Sequence, residues 1–242
     1  MTESQDRADL AAAFHLAVRM NWHEGVANHF SLATNDAGTR FLINPNAVHF
    51  SHVTASNLLE LDANDPTTLD QPNAPDPTAW GLHGALHRHV PWARCALHLH
   101  PKYSTVLASL ADSSLPPIDQ NCAMFYDRVV IDDGYTGLAF EEEGERICKQ
   151  FTDPRKTVMV MGNHGVMVVG PSVAEAWNTL YYFERAAETY ITALSTGRPL
   201  RVLSHNIALK TAEEMNAQTN LTAAHLAEMR RILDAEGAAY LQ

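Results

Sequence analysis

The sequence predicts an α/β or α+β protein built around a central, largely antiparallel sheet. Helix-like and strand-like patterns are intermixed along the chain instead of falling into separate blocks. The run Cys95-Ala96-Leu97-His98-Leu99-His100 is short, apolar and closed by Pro101, the pattern of a buried strand. Two further β-rich runs, Thr157–Met161 and Gly165–Gly170, flank Gly162-Asn163-His164 and predict a hairpin or paired strands. No internal repeat and no long linker divides the 242 residues, a length that can bury one large core. The expected organisation is therefore one domain over residues 1–242, with 201–242 as a C-terminal helical extension.

From the N-terminus, Asp6–Met20 spaces Leu10, Ala13, Phe14, Leu16, Ala17 and Met20 as an amphipathic helix, which Gly25 ends. His29–Thr34 alternates, Asn35-Asp36-Ala37-Gly38 is a turn signal, and Phe41-Leu42-Ile43 completes a hairpin. Thr54–Leu59 reads as a short helical turn capped by Thr54, and Asp62–Pro77 as loop. Thr78–His89 predicts a helix with Thr78 as its N-cap, leading into the strand Cys95–His100. Beyond Pro101 the pattern predicts a helix over Ser104–Ala111, a turn at Pro116-Pro117 and an extended Val129-Val130-Ile131. Glu141–Phe151 has the charge and spacing of an amphipathic helix. Val173–Ser195 is the longest helical pattern, striped by Ala176, Leu180, Phe183, Ala187 and Tyr190, and Gly197-Arg198-Pro199 stops it. A polar link through Ser204-His205-Asn206 leads to a last helix over Ala212–Ala235, expected on the surface or against another subunit.

A hydrophobic content of 46% with 19% charged residues is that of an ordinary globular protein. The formal charge of -11 argues against nucleic acid or an anionic membrane as the main partner, since either needs a basic surface. Met1–Asp9 lacks the basic and apolar regions of an export signal, and no run approaches a membrane span, so a cytoplasmic location is expected. The three cysteines, Cys95, Cys122 and Cys148, have no C-x-x-C spacing and read as small buried thiols.

The chemistry is to be sought among thirteen histidines. On a strand, His98 and His100 share a face and stand close enough to hold one ion. His164, in its glycine-flanked turn between two strands, is the candidate third ligand, the glycines letting the backbone turn sharply. Three neutral imidazoles leave an open coordination position, as at catalytic sites. Spacing alone leaves two half-buried, hydrogen-bonded histidines as the competing reading.

Five stretches taken together are more specific. They are Cys95–Pro101, Gly162–Gly170, the helix from Ala174-Glu175-Ala176, Phe41-Leu42-Ile43-Asn44-Pro45 and Val53–Leu58. In combination they resemble the class II aldolase/adducin family, colinearly from roughly residue 8 to 200. The resemblance implies a three-layer α/β/α fold around a mixed sheet, and a homotetramer with active sites at subunit interfaces. It also implies a divalent ion held by His98, His100 and His164, commonly zinc, with manganese, cobalt or iron as alternatives.

Departures from the family pattern narrow the activity. Sugar-phosphate aldolases of the family carry Ser-Ser-Glu before the H-x-H strand, the glutamate shuttling a proton; the matching stretch here is Pro77-Thr78-Ala79. A methyl group at Ala79 transfers no proton. Their Gly-Asn-x-Ser phosphate loop appears as Asn28-His29-Phe30-Ser31, and their Thr-Gly as Asn46-Ala47. The resemblance thus points to the branch that includes decarboxylases of hydroxylated aromatic or pyridine carboxylates, and to a small unphosphorylated carboxylate as substrate. The runners-up are retro-aldol cleavage of an unphosphorylated hydroxy-carbonyl compound and a non-catalytic, adducin-like interaction module. The three candidate ligands argue against the latter.

Decarboxylation then needs a proton donor, and the candidates are His29, Tyr126 and Asp119. His29 can alternatively bind a substrate carboxylate, or face solvent from its hairpin. His83 is expected to pack or hydrogen-bond beside the ligands, and His87 and His89 to lie on the surface. Asp76 either caps the following helix or stands in for the lost glutamate. Tyr126 and Tyr135 are read as more often core than substrate-binding, and Trp80 and Trp177 as packing. Arg198, Arg201 and His205 are read as solvated, with reach into a neighbouring active site as the alternative.

Overall fold

Seven strands form one sheet in the order β3-β2-β1-β4-β7-β6-β5 in the computed structural model, which describes residues 3–138 and 140–242. Met1 and Thr2 of the polar N-terminal stretch lie outside the described residues. In chain order the elements are α1 (Glu3–Arg19), β1 (His29–Ala33), β2 (Arg40–Ile43), β3 (Leu59–Asp62), α2 (Pro77–Ala79), α3 (Ala85–His89) and β4 (Cys95–Leu99). There follow α4 (Lys102–Ala108), α5 (Gln120–Met124), β5 (Val129–Asp132), α6 (Glu141–Cys148), β6 (Val158–Met161), β7 (Gly165–Gly170), α7 (Val173–Ser195), α8 (His205–Asn216) and α9 (Thr219–Ala235). Every pair is antiparallel except β5 with β6, so the sheet is mixed and largely antiparallel.

The period of two sorts the sheet into faces. Phe30, Leu32, Cys95, Leu97, Leu99, Val166 and Val168 join one core with α1, α7 and α9. Ala96, Met159, Met161, Met167 and Val169 point the other way, against Leu82, Leu86 and Ile147. Helices therefore cover both faces, giving three layers. The alternate residues of β1 and β4 on the second face are His29, Ser31 and His98, and His29 is paired directly with His98 across the strands. A polar track thus runs along a sheet face that is otherwise apolar.

Several local expectations change in the folded chain. Helix α1 is not two-faced, because every residue from Leu10 to Ala17 is buried; the sheet, α7 and α9 surround it. Thr54–Asn57 is a turn and not a helix, with the Thr54 N–H donating to Asn57 Oδ1, and Leu59–Asp62 is an edge strand paired with β2. Strand pairing supplies what the local pattern does not show. Asp76, not Thr78, caps α2, its Oδ1 accepting from the Thr78 and Ala79 N–H groups. Residues Trp80–Gly84 between α2 and α3 form a π-helical turn.

Gln120–Met124 folds into a short helix capped by Asp119. The C-terminal extension holds two helices instead of one, and the polar Ser204-His205-Asn206 link opens the first. Both lie on the surface, as expected, with most of their residues exposed; α8 packs on α5, α9 packs on α7 and α1, and Leu226, Met229, Leu233 and Tyr240 are buried. Trp80 and Trp177 are packing residues, and all three cysteines are buried free thiols. Among the described residues, no helix is long and apolar enough to cross a membrane.

Candidate metal centre

Strand β4 ends at Leu99, and the chain is pinned immediately beyond it. The buried Glu184 carboxylate of α7 accepts from the Tyr103 and Ser104 N–H groups and the Ser104 hydroxyl, at 2.6–2.9 Å. That anchor closes the first turn of α4, where Pro101 has no side chain to cap with. His98 and His100 are held from both sides as a result.

The third histidine arrives on the β6–β7 turn, where Met161 pairs with Gly165. The residue that reverses the chain there is Asn163, at φ 57°, and not either flanking glycine. Gly165 serves close approach instead: a Cβ there would lie 2.4 Å from His100 Cδ2 and 2.8 Å from the Leu99 carbonyl oxygen. The expectation that the glycines make the turn is corrected accordingly. The missing side chain of Gly165 lets the two histidine segments touch, while Gly162 packs against Asp132 and Asp133.

His98, His100 and His164 converge. Their nitrogen ligand atoms all lie within 4.8 Å of one another, and their ring centroids stand 4.8–5.1 Å apart. The hydrogen bonds sort donors from acceptors. His98 Nδ1–H donates to the Val166 carbonyl at 3.0 Å, which leaves Nε2 as the lone pair. His100 Nδ1 bonds the Glu24 carboxylate, and its buried Nε2 has no partner. Burial, followed by the neighbouring imidazoles, holds the His98 ring well below the usual histidine range and takes His164 down to about 4. Three convergent imidazoles, two of them pushed toward the neutral form by burial and the third with an orphaned buried nitrogen, are what a divalent cation requires, so the residues fit the implied ion.

His29 lies against this cluster, its ring 4.9 Å from that of His98, and it faces inward, so the solvent-exposed alternative is excluded. It also lines a cavity of about 90 Å³ together with Asn28, Asn46, Ala47, Asp76 and Ala79. The positions where the sequence departs from the sugar-phosphate pattern are therefore gathered around one small space. Among the described residues, none that lines it is Lys or Arg. Asp76 contributes there as well as capping α2.

The other candidates are placed elsewhere. Asp119 caps α5 through the Cys122 N–H, and the Tyr126 hydroxyl meets His205 Nδ1 at 2.9 Å. Among the described residues, no hydrogen bond or ring contact joins either of them to the three histidines. His83 is wholly buried and bonded to His29 and Ser31. His87, expected on the surface, is buried, stacked on Phe41 at 4.3 Å and bonded to Ser31. Only His89 is exposed as expected. Tyr135 is not core: it is half exposed, with its ring 5.9 Å from His164. Arg198 and Arg201 are exposed. Glu24 carried no signal in the sequence, because its role depends on a contact 76 residues away in the chain.

Comparison with known proteins gives the family. Residues 8–191 match the Class II Aldolase and Adducin N-terminal domain. A Caulobacter vibrioides protein named as a candidate class 2 aldolase is 32% identical over 197 residues, covering 81% of this chain and 75% of that protein. The decarboxylase NovR of Streptomyces niveus is 29% identical over 180 residues, covering 73% of this chain and 64% of that one. The crystal structure of an aldolase II superfamily protein from Pseudomonas syringae superposes with a TM-score of 0.87 at 30% identity, covering 98% and 95% of the two chains. A three-layer fold, a convergent histidine triad and a match over most of the chain place this protein in the class II aldolase/adducin family.

Proposed function

We propose that the protein is a divalent-metal-dependent carbon–carbon lyase that decarboxylates a small hydroxylated carboxylate, aromatic ones included. The observation that carries this is the pairing of three convergent imidazoles with a methyl group, Ala79, where family aldolases place their proton-transferring glutamate. His98, His100 and His164 are the assigned ligands, and zinc is the preferred ion, with manganese, cobalt and iron as alternatives. An ion held there would supply Lewis-acid stabilisation for the electron pair left when CO2 departs.

The chain's own groups then have two tasks. One is to orient the substrate: His29 stands between the triad and the 90 Å³ cavity, where it meets whatever the substrate carries beyond its carboxylate. The other is to deliver one proton to the carbon that loses CO2. His29, Tyr126 and Asp119 are the candidate donors, the last two because the family resemblance places their segment near the metal, and the protein is proposed to be a homotetramer with active sites at its interfaces. Support for an unphosphorylated substrate comes from the cavity, which offers the Asp76 carboxylate and no cationic side chain to a phosphate. A cytoplasmic enzyme with no nucleic-acid or membrane partner fits the acidic composition.

Retro-aldol cleavage of an unphosphorylated substrate is the second reading, because the same triad serves either bond. Metal analysis of protein purified without chelators, followed by parallel detection of CO2 and of aldehyde, decides among them. Stoichiometric metal with CO2 release from a hydroxylated carboxylate is the expected result. Aldehyde without CO2 would replace decarboxylation by aldol cleavage, and absence of stoichiometric metal would overturn both.

A further inference from the structure

The three convergent histidines differ in what lies on their outer side. His98 is 2% exposed and closed to solvent. His100 and His164 are half-buried, and each has a neighbour at the mouth of the site. The Glu24 carboxylate bonds His100 Nδ1, and the Tyr135 ring lies 5.9 Å from that of His164. Tyr135 is 47% exposed. Among the described residues, His164 is its one ring contact and its hydroxyl makes no hydrogen bond.

This half-exposed aromatic side chain is held in place through the backbone on either side of it. Asp132, the last residue of β5, is buried, and its carboxylate accepts both ends of the Arg146 guanidinium at 2.7 Å, the Gln150 amide at 2.7 Å and the Gly134 N–H at 3.2 Å. Arg146 Nε also donates to Glu143 at 2.8 Å, and Glu143 accepts the Thr136 hydroxyl at 3.0 Å. The loop is thus tied to α6 before and after Tyr135. Asp132 reaches the turn of His164 as well: its carbonyl accepts the Gly162 N–H at 2.7 Å, and the Asn163 N–H donates to the Ala108 carbonyl at 2.9 Å. Tyr135 and His164 are therefore built on one frame, and the fork of an arginine on a carboxylate fixes direction as well as distance.

Size and charge decide where the parts of a metal-chelating hydroxy acid go. Its carboxylate and hydroxyl go to the ion. The cavity beside His29 has about 90 Å³, short of the ~150 Å³ that holds benzene, so it takes small groups and not a ring. On the His100 flank stands the Glu24 carboxylate. An uncharged ring is left with the His164 flank, where the half-exposed Tyr135 offers an aromatic face. We propose that Tyr135 is a specificity-determining residue that packs on the ring of an aromatic hydroxy acid, and that Asp132 and Arg146 are positioning residues that hold it beside His164. These roles rest on the metal-dependent function proposed above.

Mandelate and lactate carry the same chelating groups and differ in a phenyl against a methyl, so the ratio of their affinities for the zinc-loaded protein reads the ring. Calorimetry on the wild type is expected to show mandelate binding about tenfold more tightly, the upper scale of one aromatic pair. In Tyr135→Ala the ratio should fall below about threefold, with lactate affinity and zinc stoichiometry unchanged. Tyr135→Phe should keep the ratio, because the contact is made by the ring. Arg146→Lys keeps the charge and loses the fork, and it should lower the ratio in the wild-type background but not in Tyr135→Ala. A ratio near one in the zinc-loaded wild type, or a tenfold ratio that survives Tyr135→Ala, would overturn the role of Tyr135 and leave the metal reading in place. An equal loss from Arg146→Lys in both backgrounds would overturn the positioning role. Protein that takes up no zinc would overturn the metal reading and the role of Tyr135 with it.

Discussion

Two sets of histidines share one face of one sheet, and they differ in what their lone pairs meet. In His98, His100 and His164, the hydrogen bonds that exist run outward, to Val166 and Glu24, and acceptor nitrogens converge on a common point. In His29, His83 and His87, the nitrogens turn to one another, His29 to His83 directly and His83 to His87 by way of Ser31. The first set leaves the buried Nε2 of His100 without a partner, a place for a cation. The second is joined by hydrogen bonds of its own, His29 to His83 and both His83 and His87 to Ser31. Residue type does not distinguish the sets; the direction of each Nδ1 bond does.

The largest effect that can test this contrast is removal of the ligands. His98→Ala combined with His164→Ala should abolish stoichiometric metal and lower lyase activity on the order of a thousandfold or more, as loss of the main electrostatic catalyst does. Elemental analysis and CO2 release check it. Gly165→Ala should come next, because its methyl group would meet the His100 ring at 2.4 Å and the Leu99 backbone at 2.8 Å. A backbone cannot yield as a flexible side chain does, so the cost is about 1–3 kcal/mol of stability together with weakened metal uptake. Chemical denaturation and a metal competition assay read the two parts.

Glu24→Gln keeps the shape but removes the charge that bonds the His100 imidazole. Metal affinity should drop about 10- to 100-fold with little change in stability, the usual outcome of losing a partner that orients a metal-binding histidine. An unchanged affinity would mean that convergence of the rings is enough.

The smallest effect concerns the bonded set. His87 has its pKa lowered from 6.5 in the unfolded chain to about 3 in the fold. The unfolded state therefore binds the extra proton between these values, and stability falls as the pH drops from about 6.5 toward 3. Each such group contributes a slope of about 1.4 kcal/mol per pH unit. In metal-free His87→Phe, which preserves the aromatic surface against Phe41, the slope should be shallower by about one proton, as read from urea midpoints across that range.

Legibility in the sequence followed the range of the forces involved. Strands β4, β6 and β7 and helix α7 were readable because apolar period and turn residues are local signals, and the H-x-H spacing places two rings on one face of any strand. Strand β3 was not readable, because Leu59-Glu60-Leu61-Asp62 becomes a strand through pairing with Arg40–Ile43 and not through its own pattern. Helix α1 appeared two-faced because residues such as His15 read as polar, yet His15 is buried and bonded to the Val53 carbonyl. The two C-terminal helices ran together in the sequence, where neither Gly nor Pro separates Asn216 from Thr219.

By itself, then, the sequence determined the strand that carries His98 and His100 and the turn that carries His164, which are matters of residue identity and period; the lost carboxylate at Ala79 is what the family resemblance implies. Only the tertiary structure turned Nδ1 of His98 to the Val166 carbonyl and left Nε2 of His100 without a partner. It buried His87 instead of exposing it, set Glu24 on His100, and joined Ser31 to two rings from the π-helical turn and α3. Such bonds cross from 52 to 76 residues of chain. Hydrogen-bond direction belongs to the whole network, and a network of this span exists only once the sheet and its helices have packed.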